Sequence, residues 1–233
     1  MSTIEKIIGQ EKRFECVARV QELVEVWMRD NGVHRWEDIL APNEFSAIDT
    51  DYFEDIRTGA TKIVLLPKDA SYVVKIPYIG EENWNWGEEP HWFNGGDYDN
   101  DVFDYCGHEA YLYEQAQVFN CDQFFVPTLY LMDVGNIPVY IQTKVVRPWL
   151  SCTSRPSNED TYRYASIKNS ELLYPEVGAI LLQYYSESEI ATFLMFVKEF
   201  KLNDLEASRN GEYIAAFGRY VFWDYSGYNE YDD

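Results

Sequence analysis

Thr61-Lys62-Ile63-Val64-Leu65-Leu66-Pro67 and Ser71-Tyr72-Val73-Val74-Lys75-Ile76-Pro77 are two β-branched, apolar runs separated by Lys68-Asp69-Ala70. That pattern predicts a β-hairpin. Lys75 stands inside the second run, where a lysine is costly unless its ammonium reaches water or an anion. The hairpin therefore offers both a fold signal and a candidate anion-binding cation.

Downstream of the hairpin, residues 81–100 are aromatic and acidic, with Trp84, Trp86, Trp92, Phe93 and a Gly95-Gly96-Asp97 turn. Their composition predicts a loop. Over residues 101–119, Val102, Tyr105, Cys106, Glu109, Leu112, Tyr113 and Ala116 share helical spacing, and Asp101 and Asp104 suit the N-terminal end of a helix. Two further strand-like runs, residues 126–132 and 137–146, flank a Val134-Gly135-Asn136 turn. Residues 147–157 are rich in proline and serine, as in a crossing between structural regions.

Upstream, Phe14, Val17, Ala18, Val20, Leu23, Val24, Trp27 and Met28 give residues 11–30 a broad apolar stripe of helical period, stopped by Asn31-Gly32. An N-terminal helix packed on the first lobe is expected. Residues 36–53 read as connecting structure. In the second half, residues 159–185 predict one or two helices interrupted at Tyr174-Pro175. Residues 186–200 predict a helix capped by Ser186 or Ser188, with Glu189 in its first turn and Ile190, Phe193, Leu194, Val197 and Phe200 along one face. This helix leads into Lys201-Leu202-Asn203-Asp204-Leu205, and a later apolar run delivers Tyr220-Val221-Phe222-Trp223-Asp224-Tyr225-Ser226-Gly227. Two carboxylates, with Asn210 between them, are hard oxygen donors of the kind that hold magnesium beside phosphate oxygens.

In order, these features resemble the protein-kinase-like superfamily over about residues 55–228, and most nearly small atypical kinase-like proteins such as those encoded by bacteriophages. Asp204-Leu205 resembles the opening of the Asp-Leu-x-x-x-Asn catalytic loop, Asp224-Tyr225-Ser226-Gly227 the Asp-Phe-Gly metal-binding turn, and Val73-Val74-Lys75 the strand that carries the nucleotide-contacting lysine. The resemblance implies an α+β, two-lobed fold with a small antiparallel-sheet N-lobe and a minimal helical C-lobe. It implies residues 1–54 as a helical extension, 55–147 as the N-lobe and 148–233 as a truncated C-lobe. It further implies ATP and Mg2+ as cofactors. Lys75 would contact the phosphates and pair with Glu109, or with Glu114 as the alternative. Backbone groups around Thr143, Lys144 and Val145 would hold the adenine. Asp204 would accept a proton from the acceptor hydroxyl, and Asp224 with Asn210 would bind the metal.

Several residues depart from the family pattern. Gly59 is the one glycine where a phosphate loop carries several, Leu202 stands where the family has histidine, and Asn210 lies six residues after Asp204, one more than the family spacing. Only residues 229–233 follow Tyr228, so a protein acceptor is expected to dock on another surface or chain. The same departures imply a catalytically degenerate kinase-like protein as the alternative.

Charge points to a partner class. Lys and Arg number 19 and Asp and Glu 40, a formal net charge of −21. Direct binding to nucleic-acid phosphates needs a basic patch and is not expected. The acidic excess suits either a solvated surface or docking on a basic, nucleic-acid-handling protein. Cys16, Cys106, Cys121 and Cys152 form no Cys-x-x-Cys pair, so packed, reduced thiols are expected. His34, His91 and His108 are scattered, and a structural or surface role is expected for His108. With no long apolar run and no basic-then-apolar start, a cytoplasmic protein without membrane spans is expected.

Overall fold

A computed structural model describes residue 7 and residues 13–34, 53–58, 62–77, 104–145, 155–202, 205 and 211–225. The architecture is α+β, and the chain divides into two compact units. The first comprises Met1–Ala110 with Pro127–Lys144, and the second Tyr111–Val126 with Val145–Asp233.

In the first unit, helix α1 (Arg13–Asn31) precedes strands β1 (Phe53–Thr58), β2 (Lys62–Pro67) and β3 (Tyr72–Pro77). The helix α2 (Tyr105–Val118) begins in this unit and ends in the other, and β4 (Thr128–Val134) and β5 (Ile137–Thr143) follow. The five strands form one antiparallel sheet in the order β1-β2-β3-β5-β4. Asp69 takes the left-handed conformation in the β2–β3 turn, φ 58°.

Register sorts the side chains onto two faces, because alternate residues of a strand point to opposite sides. Ile63 opposes Ile76, and Val74 opposes Ile141. All four are buried in one cluster with Tyr72, Val139, and Val20, Leu23, Val24 and Trp27 of α1. Lys75 opposes Val64 on one side and Tyr140 on the other, while Gln142 opposes both Val73 and Thr128. The second face is therefore polar although buried.

The helix face that α1 uses is narrower than the sequence stripe. Cys16, Val20, Leu23, Val24 and Trp27 are buried, whereas Phe14 is 88% exposed and Ala18 is exposed. Phe14 lies at the helix start, beyond the sheet-facing arc. Strand β1 fell in a stretch of sequence without a strong apolar alternation; Phe53 is buried in the core and Ile56 packs against it half-buried.

The second unit holds helices α3 (Asn158–Ala165), α4 (Pro175–Leu181) and α5 (Glu187–Glu199), and the hairpin β6 (Gly211–Ile214) with β7 (Arg219–Phe222). Pro175 takes the first position of α4, where its missing N–H costs nothing. Ser186, not Ser188, is the cap of α5. Its hydroxyl accepts from the Glu189 N–H while Glu189 bonds back to the Ser186 N–H. Aromatic rings dominate this core: Phe124 stacks on Phe193 at 4.2 Å, and on Tyr185 at 4.0 Å. Tyr164 packs directly on the Gly178 backbone, where an added Cβ would meet its ring at 2.1 Å.

Candidate functional site

Glu109 is fully buried, on the same stripe of α2 as Cys106 and Leu112. Glu114, the other glutamate of this helix, is exposed. Lys75 Nζ lies 2.7 Å from Glu109 Oε2 and 2.9 Å from Oε1, with 5% of the lysine side chain exposed. The structure thus brings together the two residues that the resemblance paired, with Glu109 and not Glu114 as the partner.

Three more side chains complete the cluster. Lys62 Nζ donates to Glu109 Oε2 at 3.5 Å, and Gln142 Nε2 donates to Glu109 Oε1 at 3.0 Å and to Thr128 Oγ1 at 2.7 Å. Removing one partner of such a buried pair strands the other charge, at a cost of about 3–5 kcal/mol. Sequence reasoning did not assign Lys62, Gln142 or Thr128. The signal lay in strand parity, since a glutamine two residues beyond Tyr140 and a lysine two residues before Val64 share Lys75's face.

Asp104, just before α2, accepts from the Gly107 N–H at 2.8 Å and from the Tyr140 hydroxyl. Burial raises the Asp104 carboxyl above its ordinary range, against the lowering effect of the Tyr140 hydroxyl, the Gly107 and Cys106 amides and Lys62. Burial also pushes the Cys106 thiol far up, which removes it as a thiolate nucleophile at neutral pH. Burial lowers the His108 imidazole below its ordinary value, against the raising effect of Glu109.

The candidate adenine-contacting residues end β5. The Thr143 N–H donates to Pro127 O at 3.1 Å and the Lys144 N–H to Ser71 O at 2.9 Å, so both amides are engaged by backbone carbonyls. Thr143 opposes Tyr72, which places its side chain on the α1 side of the sheet, away from Lys75. The Lys144 ammonium pairs with Glu54 at 2.5 Å, and Val145 is half-buried.

In the second unit, Asp224 is half-buried and sits between two anchored residues. Before it, Phe222 accepts from the Val126 N–H at 2.7 Å; after it, the Tyr225 hydroxyl donates to Val126 O at 3.0 Å. Asp224 is thus carried on a short step whose ends are both fixed to residue 126. Asp204 and Asn210 lie outside the described residues. Among the described residues, no group of three or more His, Cys, Asp or Glu side chains has the geometry of a metal site. Nor is any helix among them long and apolar enough to cross a membrane.

Comparisons with protein-family models, with curated proteins and with solved structures return no match for the chain.

Proposed function

We propose that the protein is a kinase-like, ATP- and magnesium-binding protein of the cytoplasm, in which Lys75, held by Glu109, takes the nucleotide phosphates. The observation that carries this reading is the buried Lys75–Glu109 pair at 2.7 Å, with Lys62 as a second ammonium on the same carboxylate. A buried lysine is expensive, and a strand lysine aimed by a helix glutamate is the arrangement that phosphate positioning requires. Bound ATP would supply the γ-phosphoryl group for transfer to a hydroxyl of a protein or small-molecule acceptor. In this reading Asp204 accepts the hydroxyl proton, and the oxygen donors Asp224 and Asn210 suit a hard cation such as Mg2+. Lys144 and Val145 offer backbone groups to the base, while the engaged Thr143 and Lys144 amides limit that contribution to other atoms.

Thermal unfolding with and without MgATP tests the proposal. At a hundredfold excess over Kd, a ligand of the native state adds about 2.7 kcal/mol of stability. Wild type is expected to gain that increment, Lys75→Ala to lose it, and Asp224→Asn to lose its magnesium-dependent part. No nucleotide-dependent shift at millimolar MgATP overturns the proposal.

A second reading draws on the net charge of −21. It is a catalytically inactive, acidic protein that binds and inhibits a basic, nucleic-acid-handling partner. Its mark is a complex weakened by salt and unchanged by Lys75→Ala and Asp224→Asn.

A further inference from the structure

The second unit contains a cavity of about 610 Å3, within the size range of small-molecule sites. Its apolar lining includes Leu172, Leu173, Pro175, Val197, Leu202 and Leu205. Among the described residues, Lys198, Lys201 and Glu171 are the charged ones on the lining. Tyr174, also on the lining, is 63% exposed.

The end of α5 builds this wall in an unusual way. Leu202 N–H donates to Val197 O at 3.0 Å and Lys201 N–H to Lys198 O at 3.3 Å, the paired bonds of a Schellman cap. Lys201 occupies its left-handed position, φ 49°, which ordinarily belongs to glycine. A lysine there strains the backbone and places a cationic residue on the lining. Lys198, three residues earlier, makes no ion pair among the described residues. In a chain of net charge −21, a leucine-walled cavity whose described lining carries two lysines against one glutamate departs from the overall acidic balance.

We infer that this cavity binds a small amphiphilic carboxylate, its apolar body against the leucines and its anionic head against Lys201 and Lys198. The inference stands apart from the nucleotide reading, because none of the residues it uses holds nucleotide, metal or acceptor in that reading.

Titration calorimetry with decanoate and with decan-1-ol tests it. Decanoate is expected to bind at least tenfold more tightly than the alcohol, which has the same body and no charge. Lys201→Gly is expected to weaken decanoate about tenfold and to leave the alcohol unchanged. That variant relieves the left-handed lysine, so its unfolding temperature is expected to hold or rise, which separates lost affinity from lost structure. Leu172→Trp, at a half-buried lining position, is expected to remove binding of both probes. Equal affinity for the two probes, no binding of decanoate, or full affinity in Lys201→Gly overturns the proposal.

Discussion

The two faces of the five-stranded sheet are built from the same strands and differ by a step of one residue. One face sets Ile63, Val74, Ile76 and Ile141 against α1, and its contents would serve any α+β domain. The other sets Lys62, Lys75, Gln142 and Thr128 around a carboxylate that is 0% exposed. Apolar contacts tolerate rearrangement of similar volume, whereas a buried polar network is stable only when each member is satisfied. The difference separates what the fold needs from what a ligand would need.

The largest expected effects attack each face in turn. Glu109→Gln leaves two ammonium groups facing a neutral amide and is expected to cost about 3–5 kcal/mol in denaturant unfolding. Trp27→Ala, which opens a cavity on the apolar face, is expected to cost a similar ~3–5 kcal/mol. The two should diverge when the polar members are replaced together. The triple variant Lys62→Met, Lys75→Met, Glu109→Leu removes every charge of the pair network and leaves the Gln142–Thr128 bond in place. It is expected to unfold no earlier than wild type and to gain up to about 1–4 kcal/mol, while losing any MgATP-dependent shift. A triple variant as unstable as Glu109→Gln would mean that the polar face is a structural element, and the contrast between the faces would collapse.

A smaller effect tests how the polar face is bounded. At Gly107 an added Cβ would lie 2.8 Å from both Asp104 Oδ2 and the Tyr140 hydroxyl oxygen. Gly107→Ala, ordinarily a gain within a helix, is expected to cost about 1–2 kcal/mol here by overpacking. A stability equal to or above wild type in the same unfolding measurement would show that Asp104 and Tyr140 yield freely.

Much of the fold was legible in sequence, for reasons that trace to particular residues. The hairpin around Asp69, the β4–β5 pair and the capped helix α5 each carry a strong period and a terminating signal. Strand β1 did not, since Glu54, Asp55 and Arg57 break its apolar alternation, and β6 is only four residues long. The Lys75–Glu109 pair was legible because the kinase-like resemblance implies a helix carboxylate for Lys75, and Glu109 falls on the apolar stripe of α2. Lys62 and Gln142 were not, because their partner depends on the strand register, which a single run of sequence does not fix. Likewise, the engagement of the Thr143 and Lys144 amides follows from Pro127 and Ser71, which are distant in sequence.

The smallest effect is a pH dependence in which two residues near α2 oppose one another. His108 is lowered by burial, so the unfolded chain takes up its proton first as pH falls through the ordinary histidine value of about 6.5. The unfolded state then binds more protons, and stability decreases with falling pH. Asp104 is raised by burial, so the folded chain takes up its proton first, and its contribution is full below about 3.9 and fades as pH rises through the folded value. His108→Gln should therefore flatten the rise in stability as pH increases through about 6.5, and Asp104→Asn should remove the loss of stability that sets in as pH rises above about 3.9, both followed by denaturant unfolding at fixed ionic strength. Since Asp104 is tied to Tyr140 on the polar face, a profile unaltered in Asp104→Asn would place that carboxyl outside the buried environment and open the boundary of the cluster to solvent.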